Sequence, residues 1–148
     1  MKSKFIIIIL FINCIYTNNI VGAFSITRIQ YDGGGDWYSD PSSIPNLLKF
    51  TKNNTNIIVN LQEKRSKIGE DIFNASNYLY LTGHGNINFS DEEAQILREH
   101  LIKGAFLHAD DNYGMDKSFR REIKKVFPEK DWVELPLNYP IFNIFYKF

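Results

Sequence analysis

The chain has 148 residues, of which 44% are hydrophobic and 23% charged, with 17 Lys+Arg against 17 Asp+Glu. That composition excludes a mainly disordered, collagen-like or coiled-coil chain, and the length fits one domain. A formal net charge of +0 gives no electrostatic footprint for nucleic acid.

Met1-Lys2-Ser3-Lys4 is a basic start, Phe5 to Ile12 is unbroken apolar sequence, and Val21-Gly22-Ala23 supplies small residues. This order is that of a secretory signal, so cleavage is expected after Ala23, giving a periplasmic or secreted protein. The apolar run falls short of the roughly 20 residues that a spanning helix needs. A retained N-terminal membrane anchor is the first alternative. A lipoprotein through Cys14 is the second, although Asn13 stands where a small residue is expected. Cleavage would remove Lys2, Lys4 and Cys14, the only cysteine. The mature chain would then be slightly acidic, with no thiol, disulfide or Cys-based metal site. A domain of this size needs no disulfide.

Phe24 to Tyr31 reads as a strand, broken by Asp32-Gly33-Gly34-Gly35-Asp36. Ile44, Leu47, Leu48 and Thr51 have helical spacing, with Ser42 or Ser43 as cap and Pro41 or Pro45 near the start. Ile57-Ile58-Val59 predicts a short strand, and the polar stretch to Ser76 a short helix around Gly69 to Phe73. Tyr78 to Leu81 predicts a strand covered on both faces, running into a Thr82-Gly83-His84-Gly85 turn. Ser90 and Glu93 form a capping box ahead of Ala94, Leu97 and Leu101, and Gly104 stops that helix. His100 reads as a surface residue of that helix. Ala105 to Leu107 predicts a strand ending at Asp110-Asp111. Phe119, Ile123, Val126 and Phe127 predict a helix ended by Pro128, and Trp132 to Leu135 a last strand.

Strands alternating with helices predict an α/β protein: a three-layer, doubly wound, mainly parallel sheet with right-handed crossovers. One domain is expected over residues 24–148.

The carboxyl ends of parallel strands share one edge, where ligands bind. Three loops there draw attention: Asp32-Gly33-Gly34-Gly35-Asp36-Trp37-Tyr38, then Gly83-His84-Gly85-Asn86, then Asp110-Asp111-Asn112-Tyr113-Gly114. The candidate ligand residues are Asp32, Gly33, Gly34, Asp36, Trp37, His84, Asn86, Asp110, Asp111 and Tyr113; the candidate catalytic residues are His84, Asp110 and Asp111. Structural readings compete with each. Gly83 and Gly85 would serve a tight turn, Asp110 and Asp111 would cap the next segment, and Trp37 would cover the core. Arg120 and Arg121 would pair with Asp116 or Glu122. The triple glycine lacks a lysine and matches neither the dinucleotide nor the P-loop pattern. His84 with carboxylates suits an open divalent-metal site, but no H-x-x-x-H spacing supports one, and no cofactor is predicted. No G-x-S-x-G elbow occurs.

The segments RIQYDGGGDWYSDPSSIPNLLKF, YLYLTGHGNINFSDEE, GAFLHADDNYGMDKSFRREIKKVFP and YPIFNIFY together resemble the bacterial family called domain of unknown function 4159. The resemblance covers essentially all of Phe24 to Phe148. It implies a flavodoxin-like fold of the class I glutamine amidotransferase type, an envelope setting, and no assigned activity. Amidotransferases place a nucleophilic Cys after a central strand; the comparable turn here is Gly83-His84-Gly85, so cleavage of the signal would exclude thiol chemistry. Relatives usually continue past the PIF segment, which makes a shortened C-terminus the expectation, and Tyr139 stands where a His often precedes it.

The expected function is a non-catalytic module of the cell envelope that binds a small ligand or a partner protein, without nucleic acid. It would touch a membrane only through an uncleaved signal or a partner. One alternative is a hydrolase, metal-dependent or not, using His84 with Asp36, Asp110 and Asp111. Another is a structural subunit docking through the apolar tail of Tyr139 to Phe148.

Overall fold

The computed structural model describes residues 22–144. The expected signal up to Val21, with Cys14, and the tail residues Phe145, Tyr146 and Phe148 lie outside the described residues. Four strands carry the fold: β1 (Thr27–Ile29), β2 (Lys64–Ser66), β3 (Tyr78–His84) and β4 (Phe106–Tyr113). They form one sheet in the order β2-β1-β3-β4, and every pair is parallel. Helices α1 (Ser43–Asn54), α2 (Asp71–Asn74) and α3 (Asp91–Ile102) separate the strands, and α4 (Asp116–Val126) follows β4.

Side-chain alternation along the strands makes two cores. On one face Ile29, Leu79 and Leu81 pack with Phe73 of α2, Ala94 and Leu97 of α3, and Met115 and Val126 at α4. On the other, Ile26 and Tyr80 pack with Ile44 and Leu48 of α1. The helices are therefore interleaved with the strands and divided between the two faces. Helix α3 starts as its sequence predicts. Ser90 Oγ accepts the Glu93 N–H at 3.1 Å, and Glu93 accepts the Ser90 N–H at 2.8 Å. Ser42 stands before α1 without capping it through its side chain.

Several boundaries differ from the sequence reading. Ile57 and Ile58 are exposed, and Val59 makes only an isolated parallel bridge with Phe24. The strand beside β1 is the polar Lys64–Ser66 instead, because backbone bonds hold this edge: Lys64 N–H to Ile26 O at 3.0 Å, and Gln30 N–H to Ser66 O at 2.9 Å. Both β3 and β4 run further than apolar sequence indicates. They stay paired to His84 and Tyr113 through an irregularity at Gly83/His84, so Asp110 and Asp111 lie within β4. Trp132 to Leu135 forms no strand; Trp132 packs on Phe119, 5.8 Å between ring centres, beneath the Arg120 guanidinium. His100 is partly buried, bonding the Ser76 carbonyl at 2.6 Å and packing on Phe73.

Arg28 is the unexpected core residue. It lies on β1 with no exposed surface. Its guanidinium meets Glu63 Oε2 at 3.2 Å, the carbonyls of Trp37, Ser39 and Asp40 at 3.3, 2.8 and 3.2 Å, and Ser43 Oγ at 3.4 Å. A buried guanidinium is tolerable only when its donors are used this fully. Arg28→Met would leave the Trp37 and Ser39 carbonyls without this donor, and Glu63 and the Asp40 carbonyl with only Arg65 and Ser43. The expected loss is about 3–5 kcal/mol of unfolding free energy by urea titration. A loss below about 1 kcal/mol would show that water replaces the guanidinium without difficulty.

Candidate functional site

The strand order changes direction between β1 and β3, so the loops after these strands part from the sheet at a topological switch point. There residues 32–36 zip onto residues 84–88. Asp32 O accepts the Asn88 N–H at 2.8 Å, the Gly35 N–H reaches Asn86 O at 3.0 Å, and the Asp36 N–H reaches His84 O at 3.4 Å. Asn86 Nδ2 donates to Gly33 O at 3.0 Å. This approach requires residues without side chains. A Cβ on Gly35 would lie 2.7 Å from Asn86 O and 2.8 Å from His84 O; one on Gly33 would lie 2.7 Å from Asn88 N. Gly83, at φ +144°, leaves room for the Tyr31 hydroxyl.

The zip brings Asp36 to His84. The Asp36 carboxylate accepts the His84 backbone N–H and lies 3.0 Å from His84 Nδ1 through Oδ2. The His84 N–H, with the ring's hydrogen bond and charge, holds the Asp36 carboxyl below its ordinary value against the opposing effect of burial. Beneath the pair, Tyr31 donates to Thr82 O at 3.1 Å. Burial, with the Asp36 charge nearby, pushes the Tyr31 phenol up to about 12. In the neutral ring, a carboxylate on Nδ1 selects the tautomer with its proton there and leaves Nε2 as an acceptor. The His84 side chain is 52% exposed, so the dyad meets solvent.

Helix α4 braces the second loop. Ser118 Oγ accepts the Ile87 N–H at 3.1 Å and donates to Gly85 O at 3.0 Å. Arg121 reaches Asn86 Oδ1 at 3.0 Å and Ile87 O at 2.6 Å. Glu122, buried, accepts the Phe89 N–H at 2.8 Å and pairs with Arg121 at 2.6 Å and Lys125 at 2.7 Å. Burial pushes the Glu122 carboxyl up, but Lys125, the Phe89 N–H and Arg121 outweigh it and hold the group below its usual value. Sequence reading passed over Arg28 and Ser118, and marked Glu122 only as an ion-pair partner for the arginines of this helix, which it is for Arg121. The available signal was polar residues in buried register: Arg28 between Ile26 and Ile29, and Ser118 and Glu122 four apart in line with Val126.

The other candidates have separate engagements. Asp32 lies 3.8 Å from Lys67, both exposed. Asp110 accepts the Tyr80 hydroxyl at 2.9 Å, on the strand face where His108 Nδ1 meets Tyr78 at 3.0 Å. Asp111 accepts the N–H groups of Met115 and Asp116 at 2.9 and 3.1 Å and so starts α4. Trp37 packs partly buried on the core, and Tyr113 is exposed at the end of β4. Gly34 has open space around it at φ +89°. Arg120 pairs with Asp116 at 2.7 Å, as the helix spacing indicates. Among the described residues no three His, Cys, Asp or Glu side chains are grouped to hold a metal ion. The dyad is a hydrogen-bonding and proton-accepting group, and no Ser, Thr or Cys side chain bonds to it among the described residues.

Fold and site together define a parallel α/β protein with a histidine–aspartate pair at its carboxyl edge. The chain belongs to the family Domain of unknown function (DUF4159), whose sequence profile matches residues 25–148. No function is assigned to that family. A search of curated proteins gave no match.

Two outcomes check this geometry. Asp36→Asn removes the carboxylate that selects the His84 tautomer, so long-range 1H–15N NMR should show the proton redistributed from Nδ1 toward Nε2. An unchanged tautomer would mean that Asp36 does not control the ring. Glu122 binds its proton less readily folded than unfolded, so its contribution is present above its unfolded pKa of about 4.3 and is lost as pH falls through the lower folded value. Glu122→Gln should therefore flatten the acid limb of the stability profile. A profile parallel to that of the parent would exclude this linkage.

Proposed function

We propose that the chain is an exported, non-catalytic binding module of the bacterial cell envelope, with its ligand site at the carboxyl edge around His84 and Asp36. The observation that carries this reading is the dyad: Asp36 holds Nδ1 of a half-exposed His84 ring, leaving Nε2 as the acceptor of the neutral ring. Such a group, with the Asp36 carboxylate behind it, suits a small ligand that donates N–H or O–H groups, such as an ammonium or a hydroxyl. The strand order β2-β1-β3-β4 supports a flavodoxin-like topology of the glutamine amidotransferase type, as it matches the first four strands of the 2-1-3-4-5 arrangement. His84 occupies the turn where the amidotransferase resemblance would place a thiol. Without a paired nucleophile, the dyad recognises a ligand but forms no acyl intermediate.

The test follows the His84 ring by NMR while the full chain is titrated with ethylammonium and, separately, glucosamine. Saturable shifts at His84, lost in Asp36→Asn, are expected. Two results would overturn the reading: no response to either probe at millimolar concentration, or hydrolysis of p-nitrophenyl acetate that His84→Ala abolishes.

A further inference from the structure

The opposite edge of the sheet carries a second surface, independent of the His84 site. Ile57, Ile58, Leu61 and Ile72 line one broad open groove there. Between 43% and 61% of each of these side-chain residues is exposed. Single exposed aliphatics are ordinary, but four sharing one groove mark an interaction surface.

Three observations indicate what covers it. Gly22 and Ala23 form part of the groove's lining, so the chain enters the domain at this patch. The apolar run Phe5 to Ile12 comes shortly before them in the same chain. Where that run is retained as an anchor, the apolar phase that receives it lies on the side of this face of the domain. Lys52 and Lys64 line the groove against a single acid, Asp71. A second copy seated face to face would bring like-charged lysines together, whereas lipid phosphates would complement them. Among the described residues no helix is long and apolar enough to cross a membrane, so contact here would lie in the interface.

We propose that this edge rests on an anionic lipid surface. The four aliphatic side chains enter the interfacial layer, and Lys52 and Lys64 meet the headgroup phosphates. His84 then faces away from the bilayer, at the other end of the strands.

The experiment uses the full chain with Cys14→Ser and one new cysteine, carrying an environment-sensitive nitrobenzoxadiazole label. Labels at Ile58→Cys and Ile72→Cys probe two separate elements of the groove; Lys117→Cys, on α4, reports the opposite edge. With vesicles of mixed phosphatidylglycerol and phosphatidylcholine, emission at 58 and 72 should shift to the blue and that at 117 should not. Phosphatidylcholine alone should give a smaller shift. Unshifted labels at 58 and 72, or an equal shift at 117, would overturn the proposed orientation. An equal shift on phosphatidylcholine would overturn the anionic assignment. A blue shift without vesicles that grows with protein concentration would assign the groove to a second copy instead.

Discussion

A guanidinium can stay charged inside a protein only if nearly all of its hydration is replaced. Arg28 meets that condition by drawing together segments distant in sequence. On one side it takes Glu63, which leads into β2 and also pairs with Arg65 at 2.6 Å. On the other it takes three successive regions of backbone, at Trp37, Ser39 and Asp40, which lead from the site into α1. Asp40 has φ +48°, a conformation that non-glycine residues rarely hold. It is held there from several directions: its carbonyl receives Arg28 and Ser43 Oγ, and its carboxylate receives Asn112 of β4. Strained backbone persists where its surroundings over-determine it in this way. One buried charge on a central strand thus ties the approach to β2 and the start of α1 to the same loop, and Asn112 ties β4 to it.

That loop begins at Asp36, and its other end is set by the glycine zip. Gly33 and Gly35 are needed because another backbone approaches within about 3 Å of where their side chains would start. Gly34 meets nothing and serves the turn through its positive φ. The three glycines therefore have two different causes, and neither is a phosphate. The Gly35 N–H, which a phosphate cradle would need free, is already bonded to Asn86 O. Clamped by Arg28 on one flank and the zip on the other, Asp36 has little freedom except to face His84. Ser118 and Arg121, from α4, hold the loop that follows His84 in turn.

Legibility in the sequence followed the kind of interaction involved. Tyr78 to Leu81 was readable because burial on both faces demands an apolar run. The start of α3 was readable because Ser90 and Glu93 satisfy a local need within one turn. Lys64–Ser66 was not, since a parallel edge strand is specified by its neighbour's backbone. Ile57 and Ile58 misled for the converse reason: their apolar character reflects the groove they line, not burial in the sheet. The three loops of the site were legible as loops at one edge, but not their pairings. Whether Asp111 turns toward a ligand or toward the N–H groups of α4 depends on where that helix begins relative to β4, a matter of three-dimensional register.

The chemistry open to the carboxyl edge depends on which of its groups are still available. Asp111 is committed to α4, and Asp110 accepts Tyr80. Asn86 is bonded through both its amide oxygen and nitrogen, to Arg121 and Gly33. The side of the dyad left for a visitor is His84 Nε2, with Asp36 fixed behind it. A fixed general base alone can accept a proton, but acyl transfer also needs a nucleophile in hydrogen-bond reach and donors placed where charge will develop. In this edge the backbone N–H groups of Gly35, Asp36 and Asn88 are spent on the zip, and that of Ile87 on Ser118. The bonds that hold the loop after His84 thus spend four backbone donors of this edge. On the reading we propose, that rigidity serves recognition of a donor group.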